Sequence, residues 1–260
     1  MSEYVSRVWK LRYFWLSLVR MDLHARYSRS WLGFGWSLLH PIAMTAVICT
    51  VFHKLFGMDI REFGPYLLTG LCFWNYFAAC SVMGCTSLQQ GEQYIRQYPA
   101  PVAIYSLRTV LGAGFHLLPA LVVVIALSWW FKGFGNLSTL PMLLPTLVLV
   151  FLFGWALSIM AGFANAYFPD TQHLIEVALQ VLFYATPIIY PPDMMRSRGM
   201  GWFVDYNPLA ALVQLFRDPI LAGEISSLTT YCVSAGAVAL MGCGAIFTLV
   251  KFERTIVFEL

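Results

Sequence analysis

Charge is scarce in this 260-residue chain: 11% of its residues are Asp, Glu, Lys or Arg, against roughly 25% in soluble domains. With 59% apolar residues and a mean hydropathy of +0.69, it has too little polar surface to coat a globule in water. Lipid must cover much of it, and the length suits one membrane domain. Lysine is scarcer still. Lys10, Lys54, Lys132 and Lys251 follow Trp, His, Phe and Val, so none stands in the Gly-Lys-Ser/Thr sequence that cradles phosphates. Any nucleotide-driven work therefore needs a second subunit. None of the six cysteines forms a CxxC pair, and all lie in apolar runs; they read as small core residues, neither disulfides nor metal ligands. The five histidines are scattered, without HExxH or paired spacing, which argues against a metal site. His40 and His116 fall within apolar runs and read as buried, hydrogen-bonded structural groups. Paired intramembrane carboxylates are missing too. Glu176 is the main acid inside a span, in the first turns of a helix where the dipole favours an anion, and Asp170 just before it reads as an N-cap. Proton coupling has little support. No cleavable signal peptide is expected.

What charge there is sits unevenly. Arg7, Lys10, Arg12, Arg20, Arg26 and Arg29 all precede residue 30. Aromatics and leucines interleave them and no nucleic-acid module follows, so a membrane surface is the expected partner. Residues 1–30 read as an amphipathic surface helix. Val5, Val8, Trp9, Leu16, Val19 and Leu23 form its apolar stripe, and Arg7, Lys10, Ser17 and His24 its polar side; Phe14, Leu18 and Met21 fall on the polar side and Arg12 on the apolar one. A transmembrane segment over residues 11–23 would bury Arg12, Arg20 and Asp22 at high cost.

Six apolar spans follow: Leu32 to Phe56, Pro65 to Leu88, Ile104 to Phe131, Leu140 to Phe168, Thr171 to Tyr190 and Leu228 to Val250. Each is long enough for a ~30 Å hydrocarbon layer. Prolines 41, 119 and 145 are tolerable inside them because neighbouring helices can satisfy the freed carbonyls. With six spans, ten Lys/Arg lie on the side of the termini and six on the other, which places both termini in the cytoplasm. Residues 191–227 differ. They hold Pro191, Pro192, Pro208 and Pro219, and two apolar pieces too short to span, Gly201–Val204 and Leu209–Leu221. Pattern alone fits an outer loop with a surface helix and a re-entrant structure equally well.

Between spans two and three lies the most polar connection, residues 89–106. Gly91 and Pro99 bracket Glu92–Tyr98, expected as a short helix across the cytoplasmic face that presents Glu92, Gln93, Tyr94 and Arg96 to a partner. Phe73, Trp74, Tyr76 and Phe77 cluster in span two, and Phe183 and Tyr184 lie in span five. Such side chains stack on sugar faces or pack helices together.

These residues resemble a known family. Arg26–Pro41, RYSRSWLGFGWSLLHP, is similar to the signature that opens the first span of type-2 ABC permeases exporting O-antigen, capsule and teichoic acid polysaccharides. Tyr94–Leu107, Tyr167–Met195 and Asn207–Gly223 resemble that family's segments in the same order, across nearly the whole chain. The resemblance implies an all-α membrane domain over 1–260. It comprises an interface helix (1–30), five spans (32–190), outer re-entrant helices (191–227), a sixth span (228–250) and a cytoplasmic tail (251–260). It implies a homodimer in the inner membrane with two copies of an ATPase subunit that binds the ATP and Mg, this chain holding no cofactor and doing no covalent chemistry. Glu92, Gln93, Tyr94, Ile95 and Arg96 would form the ATPase-coupling helix. Ser30, Trp31, Leu32 and Gly33 would form the channel entrance, and Phe73, Trp74, Tyr76, Phe77, Phe183 and Tyr184 would line the path of a lipid-linked glycan. One departure is plain: Phe168-Pro169-Asp170 stands where the family has Phe-Arg-Asp. Two other classes share parts of the pattern. A type-2 ABC exporter of drugs or small lipids would have the same architecture. A polytopic glycan-processing enzyme would need a constellation of which Arg196, Arg198 and Asp205 are the only candidates.

Overall fold

In lipid every backbone N–H and C=O must find a partner within the chain, which leaves helices as the economical solution for apolar runs of this length. The computed structural model describes the chain apart from residues 1, 29–32, 34, 98, 99, 134–137 and 260 and the side chains of Ser2, Lys132 and Phe203. Among the described residues it is all helix, with no strand. The order is α1 (Ser2–Lys10), α2 (Arg12–Tyr27), α3 (Gly35–Phe56), α4 (Ile60–Gln97), α5 (Ala103–Lys132), α6 (Leu143–Tyr167) and α7 (Thr171–Ala185). Short helices α8 (Pro192–Arg196), α9 (Trp202–Asp205) and α10 (Pro208–Arg217) then lead through a π-turn (Asp218–Ala222) to α11 (Leu228–Phe252).

Five segments are long and apolar enough to cross a membrane: α3, α4, α5, the 28 residues Leu140–Tyr167 containing α6, and α11. The expected fifth span, Thr171 to Tyr190, is shorter than its apolar run. α7 has 15 residues, about 22 Å of helix, and stops at Ala185. The cause is local: Thr186 precedes Pro187, and a residue before proline is pushed out of the α region; its φ and ψ are −99° and 138°.

α4 is the axis of the bundle. Its 38 residues make about 57 Å of helix, so it projects beyond a ~30 Å core at both ends. Of its most apolar window 72% is buried, against 17% for α3 and α11, so the latter two are peripheral. Small residues let α6 approach it: a Cβ at Gly84 would sit 2.9 Å from Ser158, the kind of close contact that small residues permit between membrane helices. Cys49, Cys72, Cys80 and Cys85 are buried, but Cys232 and Cys243, expected in the core, lie exposed on peripheral α11.

The expected single surface helix is two, α1 and α2, broken at Leu11. Its sidedness also differs from the stripe. Leu18, assigned to the polar side, is buried, and Phe14 packs edge-on against Tyr94 at 5.7 Å. Val5 and Trp9 from the apolar stripe are exposed. The helix pair has apolar residues on both sides, one meeting the bundle and one left for lipid headgroups. Asp22, the residue that made a transmembrane α2 costly, pairs with Arg108 in the first turns of α5.

Residues 191–227 divide: α8 and α9 are half-buried to exposed, whereas α10 is core. In α10, Leu212, Val213, Leu215 and Phe216 are completely buried against α4, α6 and α11. Asn207-Pro208 starts this helix in the preferred manner: Asn207 Oδ1 accepts the Leu209 N–H at 2.9 Å and proline takes the first helical position. Pro219 deprives the Leu215 carbonyl of its helical donor, and Thr146 Oγ1 of α6 donates to it at 3.3 Å.

Candidate functional site

The two chain termini share one face of the bundle. Tyr4 of α1 donates to Glu253 Oε1 just beyond α11 at 2.7 Å, and the same oxygen accepts the Val102 N–H at 2.9 Å. The Ala103 N–H donates to Tyr4 Oη at 3.3 Å. A carboxylate and a hydroxyl thus satisfy orphan N–H groups at the start of α5, where the helix dipole favours negative charge. Burial, reinforced by Glu253, pushes the Tyr4 hydroxyl well above its ordinary pKa, so it stays a donor throughout the physiological range.

Beside this joint lies the expected coupling segment. It is not a separate helix across the face but the last turns of α4, which runs unbroken through Gly91 to Gln97. Gly91 is a point of close approach: a Cβ there would lie 2.4 Å from Cδ1 of buried Tyr105. The segment's side chains divide. Ile95 is buried among Leu18, Leu88, Val102 and Ile256, and half-buried Tyr94 packs on Phe14, so these two hold the segment down. Glu92, Gln93 and Arg96 remain at the surface. Arg96 donates to Glu92 at 2.9 Å, an exposed i,i+4 pair worth a few tenths of a kcal/mol.

The residue expected as N-cap also needs correction. Asp170 occupies the N-cap position of α7 but its side chain makes no capping bond. Buried Asn165 of α6 does that work: its Oδ1 accepts the Gln172 N–H at 3.2 Å while its Nδ2 donates to the Cys85 carbonyl at 3.1 Å. Ser30, Trp31 and Leu32 lie outside the described residues; Gly33 is a turn residue with φ of 48°.

Next to that turn opens a vestibule of about 400 Å³ between α2, α3, α4 and α5. Asp22 neutralises Arg108, which leaves Arg26 as the surplus charge on the described lining; its guanidinium is 3.5 Å from His116 Nε2. Sharing Pro41 and Asn75 with the vestibule is a second crevice of about 330 Å³ between α3, α4 and α7. Trp74, Phe183 and Tyr184 line it, with Trp74 and Phe183 5.3 Å apart and Phe183 edge-on to Tyr184 at 5.4 Å. Tyr76 lines the vestibule. Phe73 and Phe77, expected on the same path, are core residues. They stack on each other at 6.3 Å, with Phe73 against Phe216 and Phe77 against Phe153. The reason is helical spacing: residues 73 and 77 share the face turned to α6 and α10, while 74 points elsewhere. Asn75 and Gln180, which pattern reading passed over, also line the crevice, together with His40, expected as a buried, hydrogen-bonded group but exposed here and without a hydrogen bond to a described residue. Among the described residues no group of three or more His, Cys, Asp or Glu could hold a metal.

At the opposite face Arg217 is 3% exposed, a buried arginine that charge counting had placed in an outer loop. It donates to Tyr66 Oη, Pro187 O, Ile188 O and Tyr66 O at 2.8, 2.6, 3.1 and 3.3 Å, with its guanidinium carbon 3.5 Å from the Tyr66 ring centre. The carbonyls released where α7 ends are thereby tied to α4 and α10.

Residues 13–221 match the ABC-2 type transporter family. The chain belongs to that family. Among similar curated proteins, the O-antigen export system permease protein RfbA of Klebsiella pneumoniae is 27% identical over 212 residues, 80% of each chain. The RfbA of Myxococcus xanthus is 27% identical over 222 residues, 84% of each. The polysialic acid transport protein KpsM of Escherichia coli is 20% identical over 214 residues, 81% of this chain and 82% of its own. As an ABC-2 member the chain is an integral membrane protein, and its relatives are transport subunits.

Proposed function

We propose that this ABC-2 chain is the transmembrane subunit of an ATP-driven exporter that moves lipid-linked polysaccharide across the cytoplasmic membrane. Two copies would act with two copies of an ATPase that holds the ATP and Mg. The functions its relatives are named for, O-antigen export and polysialic acid transport, support the substrate class. The observation that carries the reading is a pair of neighbouring cavities: a vestibule with surplus positive charge that suits a lipid phosphate and, sharing Pro41 and Asn75 with it, an aromatic crevice that suits sugar faces. In this reading α7 and the non-helical residues after it make a shortened fifth crossing. Buried α10 and the turn after it are then the re-entrant piece, since non-helical backbone at membrane depth survives where protein surrounds it. Both termini, with the α4 tip, face the cytoplasm, in line with the Lys/Arg asymmetry. ATP would bias two conformations of the dimer through its differential affinity for them, with Glu92, Gln93 and Arg96 as the contact. This subunit would do no covalent chemistry.

The test is co-purification and export with a P-loop ATPase expressed alongside. The triple change Glu92→Ala, Gln93→Ala, Arg96→Ala spares buried Ile95 and packed Tyr94. It should leave membrane abundance intact while ATPase association and glycan export fall together. Undiminished export would remove the coupling role. ATPase stimulation by amphiphilic drugs and not by undecaprenyl-linked glycan would move the chain to the drug-exporter class.

A further inference from the structure

Asn75 lies 13 residues after Glu62 and 14 before Gln89 in one unbroken helix, with about 20 Å of helix on either side. In the export reading this places Asn75 near the middle of the membrane. Its amide is exposed, as are Gln180 of α7 and His40 of α3. None of the three makes a side-chain hydrogen bond to a described residue, and all line the crevice that holds Trp74, Phe183 and Tyr184. Polar side chains left unsatisfied in hydrocarbon are costly, so such groups face a water-filled path or a polar ligand.

The crevice also has a chemical character. No Asp, Glu, Lys or Arg is among its described lining residues. A site that selects a polyanionic chain would place cations here; amides, an imidazole and aromatic faces instead match hydroxyl groups and the apolar face of a pyranose. Resting on the export reading, we infer that Asn75, Gln180 and His40 form a mid-membrane subsite that binds the hydroxyls of an uncharged sugar. The chain would thus select neutral glycans over polyanionic ones, unlike its polysialic acid relative. Discrimination follows from the cost of leaving built hydrogen-bonding groups unmatched.

The experiment measures binding of two lipid-linked glycans, one neutral and one sialylated, to the complex with its ATPase. Wild type, Asn75→Leu, Gln180→Leu and the milder Asn75→Ser and Gln180→Ala variants are compared, with membrane abundance and ATPase association as checks on folding. The wild type should favour the neutral glycan by at least about tenfold, and each loss of an amide should cost about tenfold, the equivalent of one hydrogen bond. If the wild type binds neither glycan, the export reading fails. If it binds both equally, or the assembled variants bind as it does, the subsite fails while export stands. A Gln180→Cys variant without Cys232 and Cys243 separates the remaining occupant. Quantitative disulfide formation between two copies, unaffected by glycan, would mean that a second chain fills the crevice and would refute the proposal. Labelling by a water-soluble thiol reagent, blocked by neutral glycan, is the expected result.

Discussion

Arg217 offers the sharpest test of how the far face is held. Replacing it with methionine keeps the length and removes the fork. Four hydrogen bonds vanish, to Tyr66 Oη, Tyr66 O, Pro187 O and Ile188 O. Pro187 O is then left to share the single Tyr66 hydroxyl proton, 3.1 Å away, with the nearer Tyr190 carbonyl at 2.9 Å. Ile188 O is left buried without its arginine partner, at a cost of about 1–3 kcal/mol. Loss of the guanidinium from the Tyr66 ring adds about 1–2 kcal/mol. Two effects oppose these. The buried charge no longer has to be desolvated, and the Arg217 Nε, which has no hydrogen-bond partner, is gone. The expected net loss is about 2–4 kcal/mol. Lysine should do no better than methionine, because it keeps the buried charge and loses the planar fork that reaches two carbonyls at once. Tyr66→Phe alone should cost about 1–2 kcal/mol. Combined with Arg217→Met it should be less than additive by about 1 kcal/mol, since the pair shares one bond. Denaturant titration of the purified complex in detergent, with all four variants side by side, measures each term. An Arg217→Lys protein as stable as wild type would show that charge alone matters, and the argument from the fork would be lost.

Other outcomes follow from single contacts. Gly91→Ala should lower stability by about 1–3 kcal/mol through overpacking against the buried Tyr105 ring, whereas Gly112→Ala, with nothing within 4 Å of the new Cβ, should be neutral in the same titration. Glu253→Gln and Tyr4→Phe should each cost about 1 kcal/mol, and hydrogen exchange at the Val102 and Ala103 amides should speed up in both; unchanged protection would remove the joint. Tyr184→Ala, at an exposed crevice position, should cut glycan export at normal membrane abundance, while Phe73→Ala, in the core, should cut abundance by destabilising the protein by about 3–5 kcal/mol. Equal behaviour of those two variants in a paired export and immunoblot assay would contradict the division of the aromatics.

The five long spans were legible because lipid imposes one requirement, a long apolar run, that composition states directly. Where neighbours decide the outcome, sequence pattern failed in intelligible ways. Amphipathicity located the surface helix but not its buried side, because α2 has apolar residues toward both protein and lipid, and periodicity alone cannot say which is which. The end of α7 was signalled by Pro187, yet the apolar run continues through Ile188 and Ile189 and masked the break. Gly91 read as punctuation because glycine commonly is; its reason here is the ring of Tyr105, 14 residues further on. Arg217 read as a loop charge because no local pattern marks an arginine that will be received by backbone carbonyls 29 and 30 residues earlier. The crevice shows the same limit. His40, Asn75 and Gln180 are single polar residues in three separate apolar runs, with no spacing to relate them, and only the packing of α3, α4 and α7 makes them one surface.

That packing also bears on how a partner's movement would reach the substrate. Gln93 and Arg96, Asn75, and Tyr66 all belong to α4, at its tip, its middle and its opposite end. From Tyr66 to Arg96 is about 45 Å of one helix, and Pro65, its only interior proline, lies outside that stretch. A displacement at the exposed tip therefore arrives at the crevice and at the Arg217 knot without crossing a loop that would absorb it. The knot in turn binds α4 to α10 and to the end of α7, whose Phe183 and Tyr184 form the crevice wall facing Trp74. Tilting α4 must then either carry α7 along or open the space between Trp74 and Phe183. Which of the two occurs depends on whether the Tyr66–Arg217 bonds hold. A Tyr66→Phe, Arg217→Met double variant that still assembles with its ATPase should therefore hydrolyse ATP without export. If that variant exported glycan at the wild-type rate, α4 would not be the element that transmits the stroke.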